Sequence, residues 1–72
     1  MNANLFKAKI AECGLTQGEL AKMADMSANS LSRKIHGKRD FKLREIDRLC
    51  LILRIDDPYP IFFARIVPNM QQ

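Results

Sequence analysis

Residues 16–37 read Thr16-Gln17-Gly18-Glu19-Leu20-Ala21-Lys22-Met23-Ala24-Asp25-Met26-Ser27-Ala28-Asn29-Ser30-Leu31-Ser32-Arg33-Lys34-Ile35-His36-Gly37. This stretch contains two short amphipathic helices, each opened by a hydroxyl residue. Thr16 followed three residues later by Glu19 is a capping box, in which each residue's side chain satisfies the other's backbone N–H. Leu20, Ala21 and Ala24 then recur at helical spacing and make one face apolar. Ser27 caps the second helix, and Leu31 and Ile35 point to one side of it. Gly37 supplies the residue that most easily takes the left-handed conformation past a helix end.

Between the two helices, Ala24-Asp25-Met26 leaves room only for a tight turn, with Asp25 in the position that glycine would fill most easily. Two helices crossing steeply after so short a turn form a helix-turn-helix, whose second helix can enter a DNA major groove. That helix is predicted over about Ala28 to His36. Its outer face is small and polar near the N-terminus and basic later on. A purely structural surface helix more often carries long charged residues in i,i+4 pairs, whereas close approach to base edges requires short, non-acidic groups.

Outward from this pair, Asn2 or Asn4 caps a first helix running to about Glu12, with Leu5, Phe6, Ala8, Ile10 and Cys13 on its apolar face and Gly14 at its end. Leu15 precedes the Thr16 cap as a hydrophobic staple. After Gly37 comes a basic connection to Lys42, from which Phe41 is expected to fold back into the core. A fourth helix follows from about Leu43 to Arg54, burying Leu43, Ile46, Leu49, Cys50 and Leu53. Asp56-Asp57-Pro58-Tyr59-Pro60 is a turn. Pro60 is expected to open a short fifth helix crowded with Ile61, Phe62, Phe63, Ile66 and Val67 and ended by Pro68, with Asn69 to Gln72 as a frayed tail.

The chain has 72 residues, 47% of them hydrophobic and 28% charged, which suits one folded domain over residues 1–72 with its core in about 4–55 and a C-terminal helix and tail in 58–72. The net charge of +4 fits an anionic partner. It is concentrated: between Arg33 and Arg48 lie seven basic residues against three acidic ones. Some of these, Arg44 and Arg48 among them, are expected only to solvate the fourth helix. Cys13 and Cys50 lack metal-site spacing and are read as buried free thiols in a reducing compartment. No run is long enough to span a bilayer and no signal peptide is evident, so the expected location is the cytoplasm, without a membrane partner. His36 is the sole histidine and has no supporting catalytic arrangement, so no enzyme, metal, cofactor or small-molecule ligand is expected.

Leu15-Thr16-Gln17-x-Glu19-Leu20-Ala21, followed by Ser27, Leu31 and Gly37-Lys38, resembles the lambda-repressor-like, Cro/C1-type helix-turn-helix domains of phage and bacterial regulators, over about Leu5 to Ile55. The resemblance implies a compact all-α fold of four to five helices and a dimer on a partly palindromic duplex operator. It places Ala28, Asn29, Ser32 and Arg33 at base-reading or base-adjacent positions. Gln17, Ser27, His36, Lys38 and Arg39 are the expected phosphate contacts. The chain departs from the family where some members carry glutamine for adenine, since Ala28 cannot make that contact. It departs again at Lys34, where an apolar residue is common, and Ile35 is expected to take over as anchor. Tyr59, Phe62 and Phe63 are the candidate homodimer contacts: a short helix cannot turn both phenylalanines toward one core, so one is expected to close the domain over the fourth helix and the other, or Tyr59, to stay near the surface.

The function expected from these residues is sequence-specific DNA binding by a transcriptional regulator, such as a phage or prophage repressor or a Cro-like protein. Two alternatives stand beside it: an antitoxin-like autoregulator, and a protein-interaction module that keeps the fold without binding DNA.

Overall fold

The computed structural model describes residues 1–63. Four α-helices and a terminal π-helical turn follow one another, with no strand among the described residues: α1 (Ala3–Glu12), α2 (Gln17–Met23), α3 (Ala28–Ile35), α4 (Leu43–Leu53) and the turn Tyr59–Phe63. The all-helical class read from the sequence holds. Local chemistry explains where the helices start. Asn2 Oδ1 accepts the Leu5 N–H at 3.0 Å, and Ser27 Oγ accepts the Ser30 N–H at 3.0 Å. Thr16 Oγ1 accepts from Glu19 N at 3.1 Å while Glu19 Oε1 accepts from Thr16 N at 2.9 Å, the reciprocal capping box. Each such cap contributes about 1 kcal/mol by satisfying an otherwise unpaired helix donor.

The helix ends share one device. Gly14, Asp25, Gly37 and Arg54 all hold positive φ, at 72°, 60°, 78° and 57°. The residue after each returns its N–H to a carbonyl of the preceding helix: Leu15 to Ile10 at 3.1 Å, Met26 to Ala21 at 2.8 Å, Lys38 to Arg33 at 2.8 Å and Ile55 to Cys50 at 2.9 Å. This left-handed cap reverses the chain in two or three residues, and it gives the α2–α3 turn its sharpness.

The core takes Phe6 and Ile10 from α1, Leu20, Ala21 and Ala24 from around α2, Leu31 and Ile35 from α3, and Ile46, Leu49 and Leu53 from α4, closed by Ile61 and Phe62. Phe41 does fold back: Phe6, Phe41 and Phe62 pack edge-to-face, with ring centroids 5.4–6.1 Å apart. Such pairs add about 0.5–1.5 kcal/mol beyond the area they bury. Asn2 N donates to Ile61 O at 2.7 Å and joins the start of the described chain to its end.

Several expectations need correction. Leu43 is exposed, not buried. Helical side chains lean toward the N-terminus, so Leu43 in the first turn of α4 leans past the packed stripe. Leu5 and Ala8 are exposed as well. Cys13 is exposed, because α1 ends at Glu12 and Cys13 lies in the turn at the rim, where its Sγ donates to Leu53 O at 3.5 Å. His36 and Arg54 cap α3 and α4 instead of continuing them. The last described element is a π-helical turn that begins at Tyr59, not an α-helix from Pro60. The expectations for Ile66, Val67, Pro68 and the tail lie outside the described residues.

Candidate nucleic-acid interface

The capped start and left-handed stop of α3 fix which way its side chains face. Leu31, Lys34 and Ile35 are buried inward. Ala28, Asn29, Arg33 and His36 are exposed on the opposite side, with Ser32 half-buried among them. The i,i+4 spacing stacks Ala28, Ser32 and His36 in one row and Asn29 with Arg33 in the next. The chemistry of that face suits base edges. An asparagine amide can pair with adenine, an arginine with guanine, and an alanine methyl can touch a thymine methyl.

Exposed basic groups surround the face. Ser27 lies at its start, and Lys38 and Arg39 follow Gly37 at its end, all exposed. Among the described residues the ion pairs are Lys9–Glu12 and Lys34–Glu45, so Arg33, Lys38, Arg39 and Arg44 have no carboxylate partner there. Unpaired cations at an exposed rim are free to neutralise phosphates. Gln17 sits half-buried in the first turn of α2. It shares a shallow groove of about 280 Å³ with Lys7, Ile10, Ala11 and Leu15.

Lys7 reaches this face by a contact that the sequence does not show. Its Nζ lies 3.5 Å from His36 Nε2, while His36 Nδ1 lies 2.8 Å from Ser32 O. The His36 ring thus stands between the α3 backbone and the Lys7 ammonium. It brings α1, the first turn of α2 and the end of α3 to one edge of the face. In the sequence Lys7 is only a water-facing residue of the first helix, and no local signal couples it to His36, 29 positions away.

The anchor at the base of α3 is more polar than expected. Ile35 is buried as proposed, but Lys34 is buried too, at 6% exposure. Lys34 Nζ donates to both Glu45 oxygens, at 2.8 and 2.7 Å. Glu45 Oε1 also accepts the Lys42 N–H at 2.8 Å. Burial raises the Glu45 carboxyl. The hydrogen bonds from Lys34 and from the Lys42 backbone, with the charges of both lysines, outweigh that effect and hold it below its ordinary value.

Other residues prove to be structural. Arg48 Nη1 donates to Ala24 O at 3.2 Å and ties α4 to the end of α2. Partial burial, reinforced by the Asp47 charge, pushes the half-buried Cys50 thiol up. Phe62, a candidate dimer contact, is 9% exposed and belongs to the aromatic core. Tyr59 and Phe63 are exposed, at 61% and 43%, with ring centroids 6.3 Å apart. No group of three or more histidine, cysteine, aspartate or glutamate side chains is placed to hold a metal ion among the described residues. No helix among them is long and apolar enough to cross a membrane.

A family model described as helix-turn-helix matches residues 6–59. No curated protein and no solved structure gives a significant match to the chain.

Proposed function

The chain belongs to the Cro/C1-type helix-turn-helix family of DNA-binding regulators, and from that premise we propose that it reads a specific duplex operator with α3 as a phage or prophage repressor or Cro-like protein. Ala28, Asn29, Ser32 and Arg33 face the bases. Gln17, Ser27, His36, Lys38 and Arg39 contact phosphates, joined by Lys7. The observation that carries this reading is the two-sidedness of α3, with Leu31 and Ile35 buried and a small polar face exposed beside cations that lack carboxylate partners.

The mechanism is occupancy. One domain spanning residues 1–72 binds in the cytoplasm and blocks or recruits polymerase, and two copies occupy a partly palindromic site. No catalytic step and no cofactor enter. Phosphate contacts supply affinity and register, while base contacts supply sequence preference.

Selection from a random duplex library tests the reading and returns the operator. A single enriched motif bound at least about a thousandfold more tightly than random duplex is the expected result. Equal, salt-sensitive binding to every duplex would leave only a non-specific DNA binder. Binding to no duplex at all would move the reading to a protein-interaction module with the same fold.

A further inference from the structure

Lys34 stands on the DNA-facing helix yet faces away from DNA, with its charged end buried against a carboxylate from α4. The seven residues from His36 to Lys42 join α3 to α4 and carry Lys38, Arg39 and Lys42. Both ends of this connection are held by the same two residues. At its start, the Gly37 N–H donates to the Lys34 carbonyl at 3.2 Å. At its end, the Lys42 N–H donates to Glu45 Oε1 at 2.8 Å, and the Lys34 ammonium closes the circuit by donating to both oxygens of that carboxylate.

We infer that the Lys34–Glu45 pair is a positioning clamp for DNA recognition: it fixes the roll of α3 against α4 and the course of the basic connection, and so sets discrimination between duplexes. The inference rests on the DNA-binding reading above and deepens it. Stability alone accounts poorly for such a pair. Two desolvated charges gain little over well-packed apolar groups of similar size, and their exchange for such groups is often neutral. The pair instead supplies direction. A part-buried contact from one ammonium to both carboxylate oxygens allows one geometry, whereas methionine and leucine in its place would allow several. The Lys42 N–H, with no carboxylate acceptor, would let the connection drift. Lys38 and Arg39 would still find phosphates from a drifting connection, but the base-facing row Ala28, Asn29, Ser32 and Arg33 would no longer be held in one register.

The test compares the wild type with a Lys34→Met, Glu45→Leu double variant, using two readouts that are ratios, so that a uniform change in stability cancels. The first is hydrogen exchange at the backbone amides of residues 36–42 in the free protein, taken relative to the core amides of Leu31 and Leu49. The second is the ratio of dissociation constants for random duplex and for the duplex enriched by wild-type selection. The double variant is expected to fold, to lose protection at the Lys42 amide by about tenfold or more, and to lose about tenfold in the ratio while its affinity for random duplex changes by less than about threefold. Lys34→Arg, which offers a forked donor to the intact Glu45 carboxylate, is expected to leave both readouts near wild type.

Unchanged protection together with a ratio within about twofold of wild type would overturn the clamp and leave a merely structural pair. If the double variant does not fold, a second apolar pair without an acceptor, Lys34→Leu with Glu45→Met, is judged by the same two criteria. Failure of the wild type to enrich any duplex would overturn the DNA reading and, with it, the role in discrimination. Retained exchange protection at Lys42 in the double variant would overturn the clamp independently of DNA.

Discussion

Arg54 holds a left-handed conformation at the end of α4 that glycine holds at the ends of α1 and α3, and Asp25 does the same at the end of α2. For an L-residue that conformation costs roughly 1–2 kcal/mol, less for aspartate, whose short polar side chain tolerates it. Arg54 is exposed and makes none of the ion pairs found among the described residues. Arg54→Gly is therefore expected to stabilise the fold by about 0.5–1 kcal/mol, the relief of strain exceeding the added chain entropy. Urea denaturation showing a loss of stability would mean that the arginine stem packs favourably where the backbone is strained. Two further single-residue predictions separate reading from holding. Arg33→Ala is expected to cost about 1–3 kcal/mol on the enriched duplex and much less on random duplex. Lys38→Ala is expected to weaken both alike and to lower the salt slope by about one unit. Binding isotherms at several salt concentrations read both, and an exchange of the two patterns would exchange the two roles. Capping residues such as Thr16, Glu19, Ser27 and Gly37 were legible because their chemistry is local. Lys7 was not, since its meeting with His36 exists only after α1 and α3 pack.

At the scale of the element, α3 shows why its period and its anchors Leu31 and Ile35 are readable and the burial of Lys34 is not. Leu31 and Ile35 are apolar at a spacing of four, and that spacing alone turns Ala28, Asn29 and Arg33 outward. Lys34 reads as a surface residue by type. Only the arrival of Glu45 from α4 makes its burial possible, and a carboxylate eleven positions away leaves no periodic trace. Leu43 failed in the opposite sense, since a stripe at helical spacing says nothing of where the neighbouring layer ends. The pair also carries a pH signature. The Glu45 carboxyl titrates lower in the fold than in the unfolded chain, so folding favours its ionised form. That contribution is fully present above the unfolded carboxylate value of about 4.3 and is lost as pH falls through the lower folded value. Thermal denaturation between about pH 6 and pH 2.5 is expected to show this loss in the wild type, and Glu45→Gln should fall less steeply below about pH 4. Parallel curves for the two proteins would remove Glu45 from the acid response.

For the molecule as a whole, the question is how so small a domain gains enough contact with DNA. A single module of this kind covers only about 600–1,000 Å² of protein surface, whereas two recognition helices about 34–36 Å apart read both halves of a palindrome. A two-fold contact requires one patch that meets itself. The described C-terminal end divides its aromatics between two tasks. Phe62 closes the core with Phe6 and Phe41, while Tyr59 and Phe63 stand exposed side by side. Phe63 also lines a hollow of about 230 Å³ with Met1, Arg39 and Asp40, so a contact made there would adjoin a proposed phosphate ligand and could tie dimer formation to DNA engagement. Sedimentation over a concentration series, with and without the enriched duplex, is expected to show two protomers per operator at saturation. Phe63→Ala and Tyr59→Ala are each expected to weaken the dimer, by about 1–3 kcal/mol if they act as anchors, and to leave the monomer folded. Phe62→Ala is expected to act differently and to cost about 3–5 kcal/mol of fold stability, because it opens a cavity in the aromatic cluster. One protomer per operator at saturation would end the dimer reading. A dimer indifferent to both exposed aromatics would keep the two-fold and move its contact elsewhere, and a Phe62→Ala variant that weakens only the dimer would return that ring to the interface.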